Sequence, residues 1–272
     1  MPLPRSAGGW RSIWYTLSTA RRVGGIRRMW AALRRRNACK TCALGMGGQL
    51  GGMRNEAGRF PEVCKKSVQA MAADMQGRLR EGFFDECAHE RLMRLTPREL
   101  ESAGRITEPH FSGAGDDRYR AIPWDEALDR IAARMKATSP ERSFFYFSGR
   151  SSNEAAFLLQ VMARIYGTNH VNNCSFFCHQ ASGVALTSVL GGGTGTVTLD
   201  DLDGCDFAMV IGANPASNHP RLMRTLVEIR RRGGRVVVVN PLREVGLVHF
   251  RVPSDARSLL FGSPIASDYA QP

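Results

Sequence analysis

From residue 123 onward, the chain alternates short apolar runs with amphipathic segments of helical period. The apolar runs predict buried strands at 142–149, 205–215 and 235–241. The amphipathic segments predict helices at 124–137, 153–167 and 219–234. Such alternation is typical of β-α-β units and parallel sheets. We therefore predict an α/β fold in which residues 123–272 form a mostly parallel, Rossmann-like domain.

Small or polar residues follow each predicted strand. Ligands of open α/β sheets bind outside the carboxyl ends of the strands. Gly149 and Gly212 would let a ligand approach the backbone, and Asn214 and Asn240 could hydrogen-bond a nucleotide or a pterin. Ordinary turns use the same residue types, so that alternative stays open. We expect all three strand ends to share one sheet edge. The chain contains no G-x-G-x-x-G motif, so an ordinary NAD site is not expected.

Positive charge is concentrated at the start of the chain. The net charge is +12, and residues 1–40 carry ten Lys and Arg without any Asp or Glu, so the rest contributes only +2 (12 − 10). Apolar residues at helical spacing, including Trp10 and Trp14, make residues 1–38 a basic amphipathic arm. Such an arm can dock on a membrane surface, an RNA or an acidic flank of its own protein, and we favour the last.

Seven cysteines with irregular spacing do not suggest a disulfide framework, and reduced thiols in a cytoplasmic protein fit better. Cys39-x-x-Cys42, followed by Cys64, could form a zinc half-site, a redox pair or part of an iron–sulfur site. Cys87 and Cys205 are expected to be buried structural thiols. No apolar run is long enough to predict a transmembrane helix.

The stretch NNCSFFCHQASG places Cys174 and Cys178 four residues apart, and His179 follows directly. One interpretation is a buried thiol beside an ordinary histidine. The other is a soft metal ligand beside a group that handles protons.

Six segments occur in a recognisable order: CKTCALGMGG, EVCKKS, SGRSSNEAAFL, NNCSFFCHQASGVAL, IGANPASNHPR and NPLREVGLVHF. From about Cys39 to Pro272 the chain resembles the molybdopterin oxidoreductases, and specifically their cytoplasmic branch similar to formate dehydrogenase alpha subunits. The resemblance implies a small iron–sulfur domain at 39–122 and a molybdopterin-binding domain at 123–272. It also implies two-electron oxidation of a small substrate, with formate as the first candidate.

The resemblance also implies roles for particular residues. Cys178 would be the protein ligand of molybdenum, and His179 would accept the proton. Cys39, Cys42 and Cys64 would bind a [4Fe–4S] cluster, although Met46 stands where the family has a further cysteine. Lys66 would relay electrons between cluster and pterin. Residues that would bind the cofactor, Mo-bis(molybdopterin guanine dinucleotide), are Gly149, Arg150, Asn153, Gly212, Asn214, Pro215, His219 and Asn240.

Members of this family are far longer, so the resemblance implies an N-terminal fragment whose C-terminal domains are missing. Such a fragment would neither retain the molybdenum cofactor nor turn over alone. The expected partners are a formate-like substrate and an electron acceptor that the sequence does not identify, without nucleic acid. The alternatives are a zinc-binding, basic-armed nucleic-acid-binding module, which the near-neutral body of the chain disfavours, and a nonfunctional remnant.

Overall fold

The structure is a computed structural model that describes residues 6–36, 52–55, 58–62, 64–149 and 151–271. Four residues named above, Cys39, Cys42, Met46 and Arg150, lie outside the described residues. The described chain is α/β, as the sequence predicts.

The helices, in chain order, are α1 (Trp10–Arg22), α2 (Ile26–Leu33), α3 (Lys65–Asp74), α4 (Phe83–Glu86), α5 (His89–Arg94), α6 (Pro97–Ala103), α7 (Trp124–Lys136), α8 (Asn153–Tyr166), α9 (Cys174–Leu190), α10 (Leu199–Gly204), α11 (Pro215–Asn218), α12 (Leu222–Arg231), α13 (Val245–Val248) and α14 (Ala256–Phe261). The strands are β1 (Ala7–Gly8), β2 (His110–Phe111), β3 (Arg120–Ala121), β4 (Phe145–Phe147), β5 (Val171–Asn173), β6 (Phe207–Ile211), β7 (Arg235–Val239), β8 (His249–Arg251), β9 (Ser263–Pro264) and β10 (Asp268–Ala270).

The strands form several small sheets in the described part of the chain. The pairs β1–β8, β4–β5, β6–β7 and β7–β10 are parallel, whereas β2–β3 and β8–β9 are antiparallel. The predicted strands thus appear as β4, β6 and β7, and the predicted helices as α7, α8 and α12. The observed elements are shorter than predicted because local caps set their ends. Helix α8, for example, begins where the Ser152 side chain accepts a hydrogen bond from the Ala155 amide.

The described residues belong to two compact units. The first unit comprises Met1–Gly77 and Val197–Pro272, and the second comprises Arg78–Thr196. The three-part division predicted from the sequence stays a prediction, and so does the Rossmann-like assignment.

The core of the first unit lies between α12 and the sheet β10–β7–β6. Val236 and Val238 of β7 are fully buried, and so is Met223 of α12. A fully buried side chain of this size contributes about 1.5–3 kcal/mol. This packing fixes the position of β6 and β7, from which several predicted site residues follow.

The N-terminal helices pack on their own unit through apolar side chains, not through an acidic flank, and the two tryptophans Trp10 and Trp14 take no part in the buried cluster. Ala20, Met29 and Leu33 are buried in a cluster that includes Val68 and Met71 of α3. Trp10 and Trp14 stay 59% and 67% exposed. The alanine, methionine and leucine side chains of α1 and α2 thus form the buried contact with α3 instead of the tryptophans.

The expectation that all three predicted strand ends share one sheet edge is wrong. Strand β4 pairs with β5 in a two-stranded sheet, whereas β6 and β7 pair in a separate sheet with β10. Strand β4 lies in a different sheet because it pairs with β5, a strand that the apolar pattern of the sequence does not predict. Strand β5 is only Val-Asn-Asn, yet its backbone satisfies the hydrogen bonds of β4 in parallel register.

Within the described ranges, no helix combines the length and the apolar character that crossing a bilayer requires.

Candidate functional site

Cys178 and His179 both lie in α9, which follows β5 directly. The Asn173 side chain caps this helix by accepting hydrogen bonds from the amides of Ser175, at 3.0 Å, and Phe176, at 3.3 Å. Both Cys178 and His179 are exposed. Adjacent helical residues point about 100° apart, so the thiol and the imidazole face different directions.

The loop after β4 approaches the start of α9. The Gly149 amide donates a hydrogen bond to Cys174 Sγ at 2.9 Å. A Cβ atom at position 149 would lie 2.7 Å from that sulfur, so only glycine fits without a shift. Cys178 is one turn further along the face of α9 that carries Cys174, about 6 Å along the helix axis. The loop of Gly149 and the thiol of Cys178 therefore lie on the same side of α9.

A cavity of about 590 Å³ opens at the carboxyl ends of β4 and β5, and we call it the His179 cavity. Phe147 and Asn173, the last residues of the two strands, line it together with His179. Cys178 is not among its lining residues. Asn153, another predicted ligand, is the exposed first residue of α8. The position of the cavity agrees with the general location of ligands in parallel sheets.

A second group of predicted residues meets where β6 and β7 end. The Gly212 amide donates to the Val239 carbonyl at 2.8 Å, and Asn240 Nδ2 donates to the Ala213 carbonyl at 3.4 Å. Gly212 has a positive φ of 61°, which favours glycine. Asn240 is buried, and its Oδ1 accepts from the Leu242 amide at 3.0 Å. The structure therefore brings Gly212 and Asn240 together, but it also uses the Asn240 side chain for local turn formation.

The other three predicted residues of this edge lie in α11 or directly beside its ends. Asn214 Oδ1 accepts from the Ser217 amide at 3.3 Å and so caps the helix. Pro215 is its buried first residue, and His219 is exposed directly after its end. Turn chemistry, the alternative that the sequence left open, therefore explains part of the pattern here.

Asn214 also lines a cavity of about 370 Å³ within the first unit, which we call the Lys66 cavity. Cys64 and Lys66 line the same cavity. Cys64 is buried and directly precedes α3, whereas Lys66 is half-buried in its first turn. Two residues implied for electron transfer thus share a cavity with one residue implied for cofactor binding.

Buried charge surrounds the Lys66 cavity. Burial raises the pKa of the Glu62 carboxyl above its ordinary value, although the positive charges of Arg224 and Arg221 oppose the shift. Glu62 also accepts a hydrogen bond from Asn55 Nδ2 at 3.3 Å. The wall of the cavity therefore combines a buried carboxyl group with several cations.

Arg221 is a residue that sequence reasoning missed. It is only 6% exposed and lines the Lys66 cavity, and its Nη2 donates to Ser67 Oγ at 3.2 Å. The sequence did contain a clue to this residue, because positions 221, 225 and 229 are four residues apart and therefore lie on one face of a helix. Thr225 and Ile229 are buried on that face, so a charged residue there stands out.

The structural thiols are mostly as predicted. Cys87 is buried, and Cys205 is half-buried, where its thiol donates to the Leu202 carbonyl at 3.3 Å. Among the residues that the structure describes, no group of three or more His, Cys, Asp or Glu is arranged to hold a metal ion. The described residues thus supply one of the three predicted cluster thiolates, Cys64, and the exposed thiol of Cys178 with His179 beside it.

A family model described as molybdopterin oxidoreductase matches residues 98–256. Because this match covers more than half of the chain, the chain belongs to the molybdopterin oxidoreductase family. The matched range contains α9 with the His179 cavity and the edge formed by Gly212 and Asn240. The family resemblance inferred from the motifs is confirmed.

Individual relatives agree with this assignment. An uncharacterised oxidoreductase of Mycobacterium tuberculosis is 36% identical over 278 residues, which cover 99% of this chain and 35% of that protein. The protein YdeP of Escherichia coli is 39% identical over 76% of this chain and 28% of its own length. The alpha subunit of F420-dependent formate dehydrogenase 2 of Methanococcus maripaludis is 32% identical over 52% of this chain and 21% of that subunit. The chain thus spans about a third or less of the length of these relatives.

Proposed function

We propose that the protein is a cytoplasmic, formate dehydrogenase-like molybdopterin oxidoreductase that removes two electrons from a small substrate, with formate as the first candidate. The observation that carries the proposal is His179, which lines a cavity at the carboxyl ends of two parallel strands and directly follows the exposed Cys178 on α9. Similarity to formate dehydrogenase alpha subunits supports the choice of substrate.

Cys178 is our candidate for the protein ligand of molybdenum. Its exposed thiol is accessible to a metal, and a thiolate is a soft ligand suited to a sulfur-rich centre. When bound, the molybdopterin cofactor supplies the two-electron redox chemistry. The loop of Gly149 lies on the same side of α9, but its amide is engaged by Cys174 Sγ, so the exposed thiol of Cys178 is the donor that this side of α9 offers to such a group.

His179 is our candidate for the proton acceptor. Its imidazole lines the cavity in which a small substrate would fit, and histidine titrates near neutral pH. The polar side chains of Asn172 and Ser175 line the same cavity and can orient a carboxylate by hydrogen bonding. The chain's own contribution is thus to bind the substrate and to take up a proton at the His179 ring.

We propose that the cofactor is the bis(guanine dinucleotide) form. Its candidate contacts are Gly149, Arg150, Asn153, Gly212, Asn214, Pro215, His219 and Asn240. We further propose a [4Fe–4S] cluster bound by Cys39, Cys42 and Cys64, with Lys66 between cluster and pterin. The shared cavity of Cys64 and Lys66 supports this pairing. The acceptor of the electrons is an unidentified protein or subunit.

The proposal is tested by formate-dependent reduction of a viologen dye, using native protein purified anaerobically from cells that make the cofactor. We expect the native protein, with any further domains it has in the cell, to reduce the dye with formate, whereas the 272-residue chain expressed alone should not turn over. His179→Gln should lower the rate about 10²–10⁴-fold, because it removes a proton acceptor. Cys178→Ser should abolish turnover and lower the molybdenum content.

His170→Gln is the matched control, since His170 is an exposed histidine of the same unit that does not line the cavity. It should keep the wild-type rate. Protein that contains molybdenum but does not oxidise formate would exclude formate as the substrate. An unchanged rate in Cys178→Ser would exclude the proposed role of that thiol.

A further inference from the structure

One face of α1 combines exposed tryptophan with exposed arginine. Trp10 and Trp14 are one turn apart, so both side chains leave the helix on the same side. Arg21 follows Trp10 by eleven residues (21 − 10), close to three full turns, and therefore lies on that side as well. Arg11 and Arg22 are exposed beside it. We call these five residues the Trp10 face.

Helix α2 exposes side chains of the same kind. Ile26 and Trp30 are both exposed and are four residues apart, so they lie on one side of α2. The ring centroid of Trp30 lies 6.2 Å from that of Phe60, which is also exposed. The guanidinium carbon of Arg34 lies 6.0 Å from the Phe60 centroid. Both N-terminal helices thus present large apolar side chains next to arginine.

The positive charge of these helices is not neutralised by the protein. Residues 6–36 contain eight arginines and neither Asp nor Glu. Within the described part of the chain, none of these arginines forms a salt bridge. The complementary partner of this surface is therefore an anion outside the described residues.

The surface is part of the folded first unit. Strand β1 pairs with β8, and the Gly9 amide, directly before α1, donates to the Arg251 carbonyl at 2.8 Å. At the other end of α1, Ala20 is buried in the cluster that also holds Met29 of α2. The exposed tryptophans and arginines therefore project from helices that are already fixed, so a partner need not order them on binding.

We propose that the Trp10 face and the exposed side of α2 dock on the surface of an anionic phospholipid bilayer. Tryptophan is favoured at the membrane–water interface, because its ring is apolar and its N–H is polar. Basic amphipathic helices lie in the plane of this interface, and each arginine near it adds attraction to anionic lipids. With 13 and 8 residues, α1 and α2 are shorter than the roughly 20 that span a bilayer, so these helices attach at its surface.

A single-stranded RNA is the competing partner. It would also attract the arginines, and its bases could stack on the tryptophans. The exposed aliphatic side chain of Ile26 favours the bilayer, since it gains from burial among lipid chains but has no counterpart among stacked bases. This inference goes beyond the proposed redox function and does not rest on it.

The test is co-sedimentation of the native protein with vesicles made of phosphatidylcholine and phosphatidylglycerol in equal amounts. We expect binding to these vesicles, at least about tenfold weaker binding to phosphatidylcholine alone, and weaker binding at high salt. The double variant Trp10→Ser, Trp14→Ser should bind at least about tenfold more weakly, because it loses both interfacial rings. Arg21→Gln should bind about fivefold more weakly, since it loses one charge at the surface.

Trp124→Ser and Arg98→Gln are the matched controls. Both residues are exposed and lie in the second unit, and Trp124 is about as exposed as the tryptophans of α1. Each control should bind vesicles like the wild type. Brominated phosphatidylcholine provides a second measurement that does not depend on the serine variant folding. It should quench the tryptophan fluorescence of bound wild-type protein, and most of this quenching should be lost in the conservative variant Trp10→Phe, Trp14→Phe.

Polyuridylate, added at the same phosphate concentration as the lipid, should leave most of the protein on the vesicles. Complete displacement would identify RNA as the preferred partner and would overturn the proposal. Equal binding to both kinds of vesicle, unchanged binding in Trp10→Ser, Trp14→Ser, or absence of quenching would overturn it as well.

Vesicle binding is measured without formate turnover, so a failure here is distinguishable from a failure of the redox function. Cys178→Ser should lose turnover and still bind vesicles like the wild type.

Discussion

The hydrogen bond from the Gly149 amide to Cys174 Sγ links the loop after β4 to the start of α9. The sequence singled out Gly149 as a place where a ligand could approach the backbone. In the structure the closest neighbour at this position is a protein sulfur atom. Cys174 thus has a hydrogen-bond partner that its spacing in the sequence did not indicate.

Gly149→Ala should lower the free energy of unfolding by about 1–3 kcal/mol, because the added methyl group would lie 2.7 Å from Cys174 Sγ. Denaturant unfolding at neutral pH measures this difference. The double variant Gly149→Ala, Cys174→Ala should recover part of the loss, since the smaller side chain makes room.

Gly183→Ala is the matched control, as Gly183 lies inside α9 and a methyl group added there would meet no described atom within 4 Å beyond the backbone of its own helix. It should stabilise the protein slightly, because alanine favours helix more than glycine does. Equal destabilisation by both substitutions would show that steric contact with Cys174 is not the cause.

Helix α9 carries both proposed catalytic residues, and its start is set by one side chain. Asn173 Oδ1 accepts from the amides of Ser175 and Phe176, so it fixes the first turn of the helix and the orientation of His179. Helices such as α7, α8 and α12 were predictable because their caps and apolar periods are local. Strand β5 was not predictable, since Val-Asn-Asn shows neither an apolar run nor a clear alternation.

Asn173→Ala should lower the free energy of unfolding by about 1 kcal/mol through loss of the cap. Hydrogen exchange at the first amides of α9 should also become faster, because they lose their acceptor. Asn173→Asp keeps a capping oxygen and serves as the control with near wild-type exchange. Unchanged exchange in Asn173→Ala would contradict the assigned role of this side chain.

The stability of the whole protein should depend on pH through His249. Burial, and to a lesser extent the charge of Arg251, lowers the pKa of His249 from its ordinary value of 6.5. The unfolded chain therefore binds a proton at this residue more readily than the folded chain does. This contribution to stability is fully present above pH 6.5 and is lost as the pH falls from 6.5 toward the folded pKa.

We expect the free energy of unfolding to decrease below pH 6.5, and we expect His249→Asn to reduce that dependence. Denaturant unfolding at several pH values between about 7.5 and 5 measures this pH dependence. These values span the range in which histidine ordinarily titrates. His170→Asn, at an exposed histidine, should leave the dependence as it is. A steeper loss of stability in His249→Asn would contradict the direction of the shift.

The arrangement of the complete sheets was the least predictable feature. Element types followed from local patterns, but the separate pairing of β4 with β5 depends on which backbones meet in space. The same holds for the Lys66 cavity, where Cys64 and Asn214 come together from segments 150 residues apart (214 − 64). The motifs nevertheless predicted the family, since their order along the chain is more specific than any one of them.

Metal analysis of native, anaerobically purified protein tests the central claim most directly, with molybdenum, iron and zinc measured together. For the native protein the account predicts molybdenum and iron, a visible absorbance that bleaches on reduction, and loss of iron in Cys64→Ser, whereas the 272-residue chain expressed alone should not retain molybdenum. Cys87→Ser, at another buried thiol, should retain the iron. Zinc as the sole metal, or equal iron content in Cys64→Ser and the wild type, would contradict the account.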